Sequence, residues 1–309
     1  MNILIPGGSG QVGQILKRYF VDQGHDVFIL SRSGSQGSIR WDGKTLGSWS
    51  QYVDDADVVI NLAGRSVNCR YTHENLGQMM DSRVDSTRVI GQAIEQSETP
   101  PRVWLQMSTA TIYAHRFDAP NDERSGIIGG NEPNVPDYWA RSIAIAKAWE
   151  AQLDLANTPK TRKIALRTSM VMSPDSDGVF DVLSKLTGRL LGGNIADGEQ
   201  FVSWIHEHDF TGAIQFLIDH DDIDGAVNVC SPNPLPQKKF QRVLRSAMNV
   251  PFGLPATKWM AEIGAVIMRT DTELILKSRR VIPGRLLEAG FEFRYPTWPD
   301  AASELVSQI

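Results

Sequence analysis

Three stretches of the chain hold residues whose types and spacing suit chemistry. The first is Gly7-Gly8-Ser9-Gly10-Gln11-Val12-Gly13. Glycines at this spacing let a backbone turn sharply and lie close to a phosphate. The first N–H groups of a following helix then supply partial positive charge. The second stretch is Ser108-Thr109 with Tyr113. Ser108 can hydrogen-bond a substrate carbonyl and Tyr113 can donate a proton, so these two are the catalytic candidates and Thr109 a substrate contact. A phenol with an ordinary pKa of about 10 and no lysine beside it is a donor and a poor base. The third stretch is Trp204-Ile205-His206, an aromatic wall beside an imidazole, so Trp204 and His206 are candidate substrate contacts. Asp209 follows and reads as a helix N-cap. His206 and His208 are spaced as on one face of a strand, but no further ligand cluster joins them, so no metal is expected.

These residues need elements to hold them. Asn2-Ile3-Leu4-Ile5-Pro6 reads as a buried strand. Val12, Ile15, Leu16, Tyr19 and Phe20 recur at helical spacing, and Val27-Phe28-Ile29-Leu30 is a second strand. The result is strand, glycine turn, helix and strand, half of a dinucleotide-binding unit. In it Gly7 makes the turn, Gly10 admits a pyrophosphate and Gly13 lets the helix pack on the strand. Asp57 to Leu62 is another strand, running into Ala63-Gly64, and residues 74–97 are helical. Val103 to Met107 leads into Ser108-Thr109, which places those hydroxyls at a strand's carboxyl end, where sites form in open α/β sheets. Residues 115–136 form a long loop, 138–157 a helix and Lys163 to Arg167 a strand. The alternation predicts an α/β fold, a Rossmann-type doubly wound parallel sheet.

From about Met172 glycines punctuate shorter elements. Residues 209–219 and 238–248 read as helices, and the rest to Ile309 as a small, mostly helical lobe on the substrate side. We divide the chain into a dinucleotide-binding domain, 1–230, to whose substrate side 172–205 contributes, and a C-terminal lobe, 231–309. Lys277, Arg279, Arg280 and Arg285 read as a solvated helix face.

Composition narrows the classes. The 309 residues are 41% hydrophobic and 22% charged, ordinary for a globular protein. The net charge of −5 argues against nucleic acid or an anionic membrane surface as a partner. No apolar run approaches a membrane span, and the two cysteines form no disulfide framework, so a cytoplasmic setting is expected. A small molecule is the expected partner, and a homodimer stays open.

The end of the second strand, Ser31-Arg32, bears on the cofactor. A carboxylate there would hold the ribose of NAD. A hydroxyl and a guanidinium instead suit the 2′-phosphate, so NADP is expected, with NAD as the alternative.

The spacing Gly7-x-x-Gly10-x-x-Gly13 and the stretch Asn61-Leu62-Ala63-Gly64 resemble the short-chain dehydrogenase/reductase superfamily in its extended, epimerase-like branch. Further stretches resemble one atypical family of that branch, which carries its own C-terminal domain of unknown function. They are Trp41-Asp42, Ser82-Arg83-Val84, Trp149-Glu150, Leu166-Arg167-Thr168, Ser203-Trp204-Ile205-His206, Val281-Ile282-Pro283 and Ala289-Gly290-Phe291. The resemblance implies an NADP-binding, oxidoreductase-like protein. It places Arg83, with Leu62, Ala63 and Gly64, beside the cofactor. The superfamily usually works with a Tyr-x-x-x-Lys pair, yet none of the six tyrosines has a lysine four residues on. Aligned on Trp149-Glu150, the helix carries Ser142 and Ala146 at those places. Two readings follow: an NADP-dependent oxidoreductase or epimerase-like enzyme, or a non-catalytic NADP(H)-binding redox sensor.

Overall fold

The computed structural model describes residues 1–309 apart from 35, 36, 134, 137, 258, 259 and 261–270. Along the chain come β1 (Asn2–Pro6), α1 (Gln11–Asp22), β2 (Asp26–Ser31), β3 (Ile39–Arg40), α2 (Gln51–Asp54), β4 (Val58–Asn61), α3 (His73–Gln96), β5 (Val103–Thr109), α4 (Trp139–Leu155), β6 (Arg162–Thr168) and β7 (Met170–Met172). They continue with α5 (Val179–Gly188), β8 (Phe201–Val202), β9 (Trp204–His206), α6 (Glu207–Asp219), β10 (Gly225–Val229), β11 (Leu235–Pro236), α7 (Gln237–Ala247), α8 (Glu273–Leu276), α9 (Gly284–Glu288) and α10 (Trp298–Ser307).

Seven strands pair in parallel in the order β10-β6-β5-β4-β1-β2-β3. The chain builds outward from β1 to β3, then returns to place β4 on the other side of β1. Strand order therefore reverses between β1 and β4, and the crevice beyond their carboxyl ends is where such sheets bind ligands. The glycine turn leaves β1 there and Ala63-Gly64 leaves β4 there.

Alternation along the strands feeds two cores. Ile3 and Ile5 of β1 join Leu16 and Phe20 of α1 and Phe210 and Ile214 of α6 on one face. Leu4 joins Val89 and Ile90 of α3 and Leu153 of α4 on the other. Because both faces are covered, the strands read as unbroken apolar runs.

A third core ties the later chain together. Met172, Phe180 and Trp204 pack with Phe240, Leu244, Trp298 and Leu305. The Trp298 ring stacks on Phe240 at 4.0 Å and meets Trp204 edge-on at 5.0 Å. Residues 172–205 thus share a core with α7 and α10. Among the described residues beyond Met248, helices are short and turns carry much of the chain.

Candidate functional site

The glycine turn is shaped by close backbone contacts. Gly7 has φ +76°, which suits glycine, and a Cβ on it would lie 2.6 Å from the Ala63 Cα. A Cβ on Gly13 would overlap the Gly8 backbone, so only glycine lets α1 seat this close to the end of β1. Gly10 is different: a Cβ there meets nothing within 4 Å. Its backbone faces open space at the start of α1, and no side chain caps that helix. Ser9 and Gly10 are exposed. The first N–H groups of α1 are therefore offered to a ligand, with the helix dipole behind them. Gln11 leans across to Gly178, which precedes α5, and its Nε2 is buried without a hydrogen-bond partner. Val12 follows, half-buried, against the core under α1. An uncapped helix start, an open glycine and an orphaned donor form a set that fits a pyrophosphate.

At the end of β2 the two candidates part. Ser31 is buried, and its hydroxyl lies 2.7 Å from Ser38 Oγ and accepts from Gly34 N at 3.1 Å. That hydroxyl organises the β2–β3 turn. Arg32 is exposed and, among the described residues, forms no ion pair. Register pairs Ser31 with Arg40, a second exposed guanidinium without a carboxylate partner among the described residues. The sequence reading missed Arg40, because a two-residue strand carries no periodicity to reveal its pairing.

The turn after β4 is held from within. Asn61 is buried, donates to Gln106 Oε1 at 3.0 Å and accepts from Ala63 N at 3.0 Å. Leu62 N donates to Pro6 O at 2.8 Å, which seats this turn beside the glycine turn. Arg83 reaches the same place from α3. Its Nη1 donates to the carbonyls of Arg65 and Met79, each at 3.1 Å. Its guanidinium lies 4.8 Å from the Trp149 ring, and a Cβ on Gly64 would stand 3.2 Å from its Cζ. Burial pulls the Arg83 pKa down to about 10.

Ser108 and Tyr113 do come together, but inside the protein. Ser108 Oγ donates to Glu150 Oε1 at 2.6 Å. Arg167 grips Glu150 with Nε at 2.9 Å and Nη2 at 2.7 Å, and its Nη1 donates to the Tyr113 hydroxyl at 2.9 Å. Tyr113 in turn donates to Asn228 Oδ1 at 2.9 Å, and Asn228 Nδ2 donates to Ile282 O. Tyr113 is only 2% exposed, and burial pushes its phenol up. Burial works against the Arg167 charge too, but its bonds to Glu150 outweigh that and raise its pKa. Both candidate catalytic hydroxyls, Ser108 and Tyr113, have their protons engaged by protein acceptors in a network that joins β5, α4, β6 and β10. Thr109, half-buried at the end of β5, accepts from Thr111 N at 3.1 Å and stays beside the crevice.

Trp204 and His206 are enclosed as well. Both are wholly buried in the later chain's packing, Trp204 in the third core. His206 Nδ1 accepts from His208 N at 3.1 Å, which leaves Nε2 to donate to Glu304 Oε2 at 2.7 Å. Burial holds its pKa down to about 4, so the ring is neutral near neutral pH. His206 also caps α6, a role expected of Asp209. Asp209 instead accepts from Arg294 N at 2.7 Å and Tyr295 N at 2.9 Å, pinning the chain before α10. Lys277 and Arg279 are no solvated face either: Lys277 is 1% exposed, and burial depresses the pKa of both. Arg280 and Arg285 donate to main-chain carbonyls of Phe117 and Ala226.

Comparison with known proteins agrees with this geometry. Residues 3–230 match the family model for the NAD dependent epimerase/dehydratase family, and 257–305 match that of a domain of unknown function, DUF1731. The epimerase family protein YfhF of Bacillus subtilis is 27% identical over 99% of this chain and 98% of its own. The human epimerase family protein SDR39U1 is 27% identical over 99% of this chain and all of its own. The crystal structure of that human protein (isoform 2) with NADPH superposes with a TM-score of 0.86 at 25% identity, covering 100% of both chains. A UDP-N-acetylglucosamine 4-epimerase from Bacillus cereus shares the fold, with a TM-score of 0.74 at 16% identity over 100% of this chain and 99% of that one. A glycine turn set into a seven-stranded parallel sheet, matched across 3–230, means that this chain belongs to the NAD dependent epimerase/dehydratase family.

Proposed function

We propose that this protein binds NADP(H) across the crevice between β1 and β4 and is an oxidoreductase or epimerase-like enzyme acting on a small carbonyl or alcohol. The observation that carries the reading is the uncapped start of α1 with the open backbone of Gly10. The N–H groups of α1 and Gln11 Nε2 hold the pyrophosphate. Leu62, Ala63 and Gly64 form the floor under the ribose, with the Arg83 guanidinium behind them. When bound, NADPH supplies a hydride and NADP+ accepts one. Thr109, at the carboxyl end of β5, contacts the substrate. The similar human protein crystallised with NADPH supports the choice of cofactor. No described helix is long and apolar enough to cross a membrane. A cytoplasmic, small-molecule enzyme, alone or as a homodimer, completes the reading.

Arg32 and Arg40 select the phosphorylated cofactor. A charge-assisted hydrogen bond contributes about 1.5–3 kcal/mol, so Arg32→Ala is expected to weaken NADPH about tenfold or more. Arg40→Ala adds a comparable loss, and NADH affinity barely changes in either variant. Titration of NADPH fluorescence on the purified chain measures this, and unchanged NADPH affinity in Arg32→Ala would refute the assignment.

One observation favours the sensor as a second reading: α4 presents Ser142 and Ala146 where the superfamily's Tyr and Lys stand. A panel of carbonyl substrates with NADPH separates the two. Tight binding with no turnover across the panel favours the sensor.

A further inference from the structure

Where α4 carries Ser142 in place of the usual tyrosine, an ionisable group is bonded to it. Ser142 is 9% exposed, and its Oγ lies 2.6 and 2.7 Å from the two carboxyl oxygens of Glu273, which is 0% exposed. The two residues are 131 apart in sequence, and Glu273 opens the short helix α8. Lys277, one turn on, places Nζ 3.8 Å from Glu273 Oε1 and donates to Thr111 O at 2.8 Å. Arg279 donates to Glu273 O at 3.2 Å through Nη2 and to Thr111 Oγ1 at 3.1 Å through Nε. Thr111 lies two residues beyond the end of β5. The cluster therefore borders the strand end where the crevice opens, and is not remote core. Burying a carboxyl, an ammonium and a guanidinium together carries a heavy desolvation penalty. Apolar side chains would fill the same space with less penalty, so the groups point to use.

We propose that Glu273 is the proton store of this active site, acting through the Ser142 hydroxyl, and that the segment 271–279 replaces the Tyr-x-x-x-Lys pair that α4 lacks. The proposal rests on the oxidoreductase reading above. In the reducing direction the Ser142 O–H proton passes to the substrate carbonyl oxygen as the carbonyl carbon takes up the hydride supplied by NADPH. The Glu273 proton passes to Ser142 Oγ. The substrate leaves as the alcohol, NADP+ remains, and Glu273 is left as a carboxylate until water returns its proton. Lys277 and Arg279 hold that charge meanwhile. In the oxidising direction the same atoms move in reverse. Glu273 and Lys277 are positioning and proton-holding residues. Ser142 is the group that touches substrate.

The electrostatics support the geometry. Burial pushes the Glu273 carboxyl above its ordinary range, against the pull of Arg279 and Lys277. Burial, then Arg279, brings Lys277 down to about 8. The groups facing Glu273 are Asp271, Lys277 and Arg279 from its own segment, Ser142 from α4 and Tyr71 from the loop before α3.

The test uses the full chain and both cofactor forms. The oxidised nicotinamide ring is cationic and the reduced ring neutral, so a Glu273 carboxylate favours NADP+ over NADPH. Calorimetric affinities across pH should show the NADP+/NADPH affinity ratio rising about tenfold as Glu273 loses its proton, the effect of about one unit of pKa coupling. In Glu273→Gln that rise disappears while NADPH affinity stays near wild type. Lys277→Met retains the rise and moves it to higher pH. Tight NADPH binding with the same ratio profile in wild type and Glu273→Gln would overturn the proton store and leave the cofactor reading intact. Failure of the wild type to bind either form would overturn both. Should Glu273→Gln fail to fold, infrared difference spectra of the wild type with carbon-13 glutamate decide. Adding NADP+ should convert a protonated glutamate band to carboxylate, and no conversion at any pH overturns the proposal.

Discussion

Gly13→Ala is expected to abolish measurable NADPH binding, with affinity falling by a factor of about a hundred or more. The added Cβ would overlap the Gly8 backbone, and a backbone cannot swing aside as a flexible side chain can. The start of α1 must lift from the end of β1, which costs about 1–3 kcal/mol as overpacking does elsewhere. The larger loss is in binding, because the N–H groups of α1 act on a phosphate only when they converge on it. Gly10→Ala separates these two effects. Its Cβ meets no protein atom within 4 Å, so the fold should lose at most about 1 kcal/mol, the scale of a weakened cap. NADPH affinity should nonetheless fall about tenfold, because the methyl stands where the pyrophosphate must lie close. Denaturant unfolding and NADPH titration on both variants check this. Gly10→Ala with undiminished affinity would show that the phosphates lie elsewhere.

The contrast between these glycines marks how far the sequence was legible. Local spacing predicts the strand, turn and helix, because each is set by residues a few positions apart. The helix expected over 74–97 is observed as His73–Gln96 and that over 138–157 as Trp139–Leu155. Parallel pairing follows from the same alternation, since a helix between successive strands returns the chain to the same end of the sheet. Pairings across long separations leave no such trace. Ser108 finds Glu150 across 42 residues and Ser142 finds Glu273 across 131. A serine at a strand end looks the same whether its hydroxyl faces the crevice or a buried carboxylate. Lys277 illustrates the converse, since a lysine among arginines reads as solvated until the fold closes over it. His206 and Asp209 lie three apart, and either could cap α6. The pull of Arg294 and Tyr295 on Asp209 decides between them, and that contact is 85 and 86 residues away.

Arg167→Met tests the assignment of Ser108 and Tyr113 to structure, and its expected cost is about 3–5 kcal/mol of stability. The Arg167 and Glu150 side chains are 12% and 14% exposed, so solvent screens the pair little. Removing the guanidinium leaves the carboxylate with the Ser108 hydroxyl as its side-chain donor and takes one partner from Tyr113. An uncompensated charge is the main penalty, so neutralising it should return part of the loss. The double variant Glu150→Gln with Arg167→Met is therefore expected to be more stable than Arg167→Met alone, a coupling that a double-mutant cycle in urea measures. The same logic predicts little effect on the crevice. Tyr113→Phe loses both the bond to Asn228 and the one from the Arg167 guanidinium, about 1–3 kcal/mol of stability, yet NADPH affinity and any hydride transfer should stay within about twofold of wild type, because neither bond reaches the crevice. A folded Tyr113→Phe protein that binds NADPH but has lost turnover would return the phenol to catalysis. The opposite outcome leaves proton handling to the first turn of α4, where Ser142 meets Glu273.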